Sequence, residues 1–128
     1  MDVREVMTEA YGRITEIVRR AAKDLDAEQL AFRPDSDANS IAWLVWHLTR
    51  IQDHHVSEIP GREQAWTAEG WADRLDLPAD PDDTGYGHTA AQVAAMRPAS
   101  PEELIGYHEA VAARTAAYIA TLDADELD

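Results

Sequence analysis

No stretch of this chain alternates apolar and polar residues with period two, while three stretches repeat with a period of three to four. In the first, Val3, Val6, Met7, Ala10, Ile14, Ile17, Val18, Ala21 and Leu25 line one side, with Arg4, Glu9, Arg13, Glu16 and Arg20 opposite. That is the stripe of an amphipathic helix, which Gly12 weakens only modestly. The second runs from about Ile41 to Glu58, with capping oxygens from Asn39 and Ser40 and a stop at Ile59-Pro60-Gly61. Its first half is apolar on every face, which predicts a central helix, and its second half turns polar with Thr49, Arg50, Gln52 and Asp53. The third carries Leu104, Tyr107, His108, Val111, Thr115, Tyr118, Ile119 and Leu122. It follows a strong start signal, with Ser100 at the cap, Pro101 at the first helical position and Glu103 three residues past the cap. The chain is therefore all-α.

The connections differ in kind. Between the first two helices lie a turn at residues 26–30 and a loop at Pro34 and residues 35–37. Residues 60–99 hold Pro60, Pro78, Pro81 and Pro98 with Gly61, Gly70, Gly85 and Gly87. They predict a long crossover with helical turns near 71–75 and 89–96, pinned to the bundle by Trp66, Trp71 and Tyr86. The first long helix is followed by Leu25-Asp26-Ala27-Glu28-Gln29-Leu30 and the third by Leu122-Asp123-Ala124-Asp125-Glu126-Leu127. The first copy leads into a helix and the second into none. The expectation is one domain, residues 1–128, built as an up-down bundle of the four-helix type with a long crossover and without its fourth helix.

Composition narrows the function. The net charge of −14 would repel a phosphate backbone, so no nucleic-acid partner is expected. With no cysteine, disulfides, thiolate ligands and cysteine nucleophiles are excluded. No apolar stretch approaches the roughly 20 residues of a membrane span, and Asp2, Arg4 and Glu5 do not open a secretory leader. The expected location is cytoplasmic, with no membrane partner. Glycine-rich phosphate loops, Gly-x-Ser-x-Gly and His-Glu-x-x-His are all lacking, and the many carboxylates are assigned to solvent faces.

What remains is histidine. The run Ile41-Ala42-Trp43-Leu44-Val45-Trp46-His47-Leu48 sets one imidazole in an otherwise unbroken apolar stretch. Burying a polar ring costs free energy unless it is hydrogen-bonded or bound to a metal. His47 is either a satisfied core histidine or the first ligand of a site. His54 shares its face, but two residues seven apart on a helix are separated by about 10 Å, too far to chelate one ion directly. The spacing for two ligands from one helix is three or four, where His47 has Arg50 and Ile51. Any partners must come from other helices. His108 borders the apolar stripe of the third helix and has Ala112 four residues on, so it reads as a core residue before it reads as a ligand. His54, His55 and His88 read as surface or capping residues, with His88 placed to cap a short helix after Gly85-Tyr86-Gly87. The candidate metal ligands are His47, His108 and His54, and the tryptophans read as core anchors.

The stretch Asn39-Ser40-Ile41-Ala42-Trp43-Leu44-Val45-Trp46-His47-Leu48-Thr49-Arg50-Ile51-Gln52-Asp53 resembles the DinB-like superfamily. With Asp83-Thr84-Gly85-Tyr86-Gly87-His88 and Gly106-Tyr107-His108-Glu109-Ala110-Val111 it is similar to an actinobacterial branch near the mycothiol-dependent maleylpyruvate isomerases. The resemblance covers essentially the whole chain. It implies a four-helix bundle with a long crossover between its second and third helices. It also implies a divalent metal (zinc, nickel or similar) on three ligands. One of these corresponds to His47, and the other two belong to the fourth helix. The implied chemistry is activation of a low-molecular-weight thiol such as mycothiol, for transfer to or isomerisation of a small-molecule substrate. Two other readings stand beside it. One is a non-catalytic helical module that buries its open groove against a protein partner or a second copy, as a homodimer. The other is a site formed by His47, His108 and a further residue of the helices present.

Overall fold

The computed structural model describes residues 2–123. Its elements in chain order are α1 (Val3–Ala22), α2 (Ala27–Ala31), α3 (Ile41–Glu58), α4 (Ala65–Ala68), α5 (Trp71–Arg74), α6 (Ala90–Ala94) and α7 (Pro101–Thr121), with no strand among the described residues. Four of the starts have a local chemical cause. The Asp2 carboxylate accepts from the Glu5 amide to cap α1, and the Ser40 hydroxyl accepts from the Trp43 amide to cap α3. Asp26 with Gln29, and Thr89 with Gln92, form reciprocal capping boxes on α2 and α6. The first copy of the internal echo is thus a real helical turn. Residues 124–127 of the second copy lie outside the described residues. At α7 the expected cap takes another form: the Ser100 hydroxyl donates to Glu103 Oε2 at 2.6 Å and to Glu102 Oε2 at 3.1 Å, and makes no bond to the backbone.

α1 and α7 run antiparallel, since Arg4 at the start of α1 donates to the Leu122 carbonyl and Arg19 near its end donates to Glu109. α3 and α7 run the same way, with Thr49 opposite His108 and Gln52 opposite Thr115. Two parallel helices joined in sequence need a connection that returns to the starting end, which is the work of residues 60–99. The helical turns expected near 71–75 and 89–96 are present as α5 and α6, and α4 is an addition. No helix among the described residues is long and apolar enough to cross a membrane.

Burial on α3 runs against its hydropathy. Ile41 and Leu44, in the half that reads as apolar on every face, are 37% and 47% exposed. Thr49, Arg50, Gln52 and Asp53, in the half that turns polar, are all buried. Thr49 and Gln52 are buried against α7, and Arg50 and Asp53 by the crossover, which descends along α3 from its C-terminal to its N-terminal end and meets a polar group at nearly every turn. The Ser57 carbonyl accepts from the Arg62 amide at 2.9 Å. The Asp53 carboxylate accepts from the Ala65 amide at 3.0 Å and the Trp66 amide at 2.8 Å, so it caps α4 from outside the segment. Arg50 donates to the carbonyls of Asp83, Pro81 and Asp80, and to Gln64 Oε1 at 2.7 Å. His47 donates to the Thr84 carbonyl, and the Trp43 indole donates to His88 Nδ1 at 3.1 Å.

Asp53 also accepts from the Tyr107 hydroxyl at 2.7 Å, which ties α3 to α7. Burial, with the Asp53 charge behind it, pushes the Tyr107 phenol well above its usual range, so it remains a donor. Arg50 and Asp53 are 3.6 Å apart and essentially fully buried, and the guanidinium lies 5.0 Å from the centre of the Trp66 ring. The expectation that the carboxylates lie on solvent faces fails at Asp53. Trp66 and Trp71 pin the crossover as expected, Trp71 lying over Gly106, where an added Cβ would come within 2.8 Å of the indole. Tyr86 does not pin it, for it is 94% exposed.

His108 sits fully buried where α1, α3 and α7 meet. Its Nδ1 lies 2.9 Å from the Thr49 hydroxyl and its Nε2 3.1 Å from the Thr15 hydroxyl. Thr49 already donates to the Val45 carbonyl at 2.7 Å, so it accepts from Nδ1–H and the neutral ring turns its Nε2 lone pair to the Thr15 hydroxyl, whose proton is shared with the Tyr11 carbonyl at 3.3 Å. Burial lowers the pKa of this ring below the ordinary value of 6.5.

Two outcomes follow from this arrangement. Asp53→Ala should lower unfolding stability by about 3–5 kcal/mol, because it strands a buried guanidinium and two amides. A loss under about 1 kcal/mol in urea denaturation would show that the carboxylate does not hold the crossover. For His108, the folded pKa lies below the unfolded one, so the unfolded chain binds more protons and the contribution is complete above about pH 6.5 and lost as pH falls below it. Wild type should therefore lose more stability between pH 7.5 and 5.5 than His108→Gln, and equal losses would contradict this.

Candidate functional site

His47 lies half-buried on the face of α3 that the crossover covers. The Thr84 carbonyl can only accept, so His47 Nδ1 carries the proton and Nε2 holds the lone pair. The ring stacks on Trp43 with centroids 4.6 Å apart and planes at 19°. Thr84 is held by a turn that Asp83 builds: Asp83 Oδ1 accepts from the Gly85 amide at 3.0 Å and from His88 Nε2 at 2.8 Å. Gly85 has φ +92°, and an added Cβ would stand 2.9 Å from His47 Nδ1 and from the Trp46 ring. Only glycine supplies that backbone conformation and that close approach.

His88 belongs to the same construction. It was expected at the surface or capping the next helix, but Thr89 takes the cap. With Nδ1 accepting from Trp43 and Nε2 donating to Asp83, His88 lies over Trp46 at 5.4 Å between centroids. Both of its nitrogens are engaged.

The three candidate ligands do not come together. His108 is hydrogen-bonded through both nitrogens in the core, as its core reading requires. His54 falls with His55 and Glu58 at the end of α3, where one ligand atom from each lies within 4.8 Å of the others. That trio could hold a metal ion, and among the described residues no group of three or more histidine or acidic residues that could do so includes His47. His47 thus offers one ligand in the tautomer a metal needs, and the described residues add no convergent set to it.

Beside α3 lies a groove of about 410 Å³ lined by Tyr11, Ile14, Leu48, Ile51, Gln52, His55 and Val56. It belongs to a wider apolar face on α1 and α3, where Ile17 is 63% exposed and Leu44 and Ile51 stand partly open. The Arg50–Asp53–Tyr107 network was not singled out from the sequence. The signal it leaves there is the spacing of Trp43, His47, Arg50, Asp53 and Ser57, four or three apart throughout, which is a helical face of hydrogen-bonding heads.

Comparison with known proteins agrees with this architecture. A crystal structure described as that of the conserved protein of a locus from Enterococcus faecalis superposes with a TM-score of 0.87 at 25% sequence identity. The match covers 99% of this chain and 75% of that one. Among curated proteins none matches. The family model of the DinB superfamily matches residues 10–128. This all-helical chain belongs to the DinB superfamily.

Proposed function

We propose that this protein is a metal-dependent enzyme of the thiol-dependent transferase or isomerase class, acting in the cytoplasm on a small-molecule substrate, with His47 as one metal ligand. The observation that carries the reading is the fixed tautomer of His47. A metal-binding imidazole needs one nitrogen held by a hydrogen-bond acceptor and the other free, and the Thr84 carbonyl supplies the first condition. Trp43 stacks on the ring and holds it against rotation. This is the residue that the resemblance to the actinobacterial branch near the mycothiol-dependent maleylpyruvate isomerases marks as a ligand, and mycothiol is the thiol it suggests.

A zinc or nickel ion bound there would lower the pKa of a bound thiol. Because the described residues give His47 no second ligand, this reading requires the other ligands to come from outside them. The parts this chain does supply are positional: Asp83 sets the turn, Thr84 sets the tautomer and Gly85 lets the turn close on the ring.

The exposure of Ile17, Leu44 and Ile51 favours a second reading, a helical module without catalysis that self-associates as a homodimer. Metal analysis together with light scattering separates the two. Under the first, the protein purifies with zinc or nickel, His47→Ala lowers that content by one ion per chain, and Gly85→Ala reduces it by displacing the Thr84 carbonyl. Metal content unchanged in His47→Ala would refute it. Under the second, the protein runs as a dimer that Leu44→Glu or Ile51→Glu converts to monomer, and a monomer at micromolar concentration would refute that.

A further inference from the structure

At the C-terminal end of α3, two adjacent imidazoles and a carboxylate gather on the surface. His54 and Glu58 are four residues apart and His55 and Glu58 three, the spacings at which one helix presents two ligands to one ion. His54 Nδ1 stands 3.9 Å from Glu58 Oε2, and the two imidazole rings meet edge to face with centroids 5.4 Å apart. One ligand atom from each of the three lies within 4.8 Å of the other two. Around a tetrahedral zinc ion, with ligands at about 2.0–2.2 Å, neighbouring ligand atoms are about 3.3 Å apart. His54 is half-exposed and His55 and Glu58 are exposed, so rotation about their own side-chain bonds closes that gap with the backbone in place.

The surroundings favour a cation. The trio occupies the last turn of α3, at the negative end of its dipole, on a chain of net charge −14. Two imidazole nitrogens with one carboxylate select zinc, nickel or copper, whereas magnesium and calcium call for oxygen ligands. His47 lies seven residues from His54, about 10 Å along the helix, so one ion cannot serve both places. His55 also lines the groove with Tyr11, Ile14 and Ile51, which puts an ion on this trio at the rim of that groove.

We propose that His54, His55 and Glu58 form a surface site for a divalent transition-metal ion, separate from and independent of any ion at His47, with water completing its coordination. The test is calorimetric titration of Zn²⁺ into the tag-free, chelator-stripped full chain and its variants at neutral pH. Wild type and His47→Ala should both bind an ion that His54→Ala and His55→Ala each weaken at least about tenfold, the minimum expected when a metal site loses a supporting group. Glu58→Gln should weaken it in the same direction, and excess Mg²⁺ should not displace it. The proposal is overturned if wild type binds no Zn²⁺, or if the His54→Ala/His55→Ala double variant titrates like wild type. It is equally overturned if binding disappears in His47→Ala alone, a result that would instead support the His47 reading.

Discussion

The Asp53 carboxylate is the fixed point of this molecule. It is 1% exposed and accepts from two successive amides at the start of α4, from the Tyr107 hydroxyl on α7 and from Ser57 on its own helix. A buried carboxylate is expensive unless it is both paired and hydrogen-bonded, and here Arg50 supplies the charge while the amides and hydroxyls satisfy the lone pairs. Arg50 in turn spends its other donors on three carbonyls of the crossover. One ion pair therefore binds α3, α4, α7 and residues 80–83 into a single unit. The tautomer of His47 depends on it at one remove, because Thr84 follows directly on a residue that Arg50 holds.

The helices were legible because their apolar period and caps are written in adjacent residues. Ser40, Asp26 and the Ile59-Pro60-Gly61 stop act within a turn of where they stand in the sequence. The crossover was legible as a connection but not as a packed layer. Its side-chain partners on α3 are 12 to 45 residues away in sequence, and a carbonyl such as that of Thr84 or Pro81 leaves no mark in the residue type that carries it. For that reason the second half of α3 reads only as polar, the Asp53 carboxylate as one for solvent, and Tyr86 as an anchor. Aromatic residues that do pack share a feature Tyr86 lacks: Trp66 and Trp71 begin or enter short helices directed at α7, whereas Tyr86 stands between two glycines with positive φ.

The histidines separate by how many of their nitrogens the protein itself uses. His108 and His88 use both, and each holds elements together as a small polar strut in an aromatic or apolar setting. His47 uses one, and the constraint on it comes from neighbours that fix which one. His54 and His55 lean on each other and on Glu58 at the surface. From sequence alone His47 stood evenly between filler and ligand, and the Thr84 contact accounts for its burial without using the nitrogen that a ligand role would require.

The descent of the crossover along α3 has a consequence for how its length can vary. Asp53 and Arg50 are three residues apart, about 4.5 Å along the helix, yet the chain takes the stretch from Trp66 to Asp80 to pass between their contacts. That segment is far longer than the rise it spans, and the excess folds out over α7 as α5, where Trp71 lies over Gly106. Between Thr84 and His88 the chain has four residues to cover the single turn from His47 to Trp43, and Asp83 and Thr84 are consecutive. An added residue there would put His88 out of step with Trp43 while Thr84 stayed on His47, so this chain should tolerate a change of length less readily between Thr84 and His88 than before residue 80.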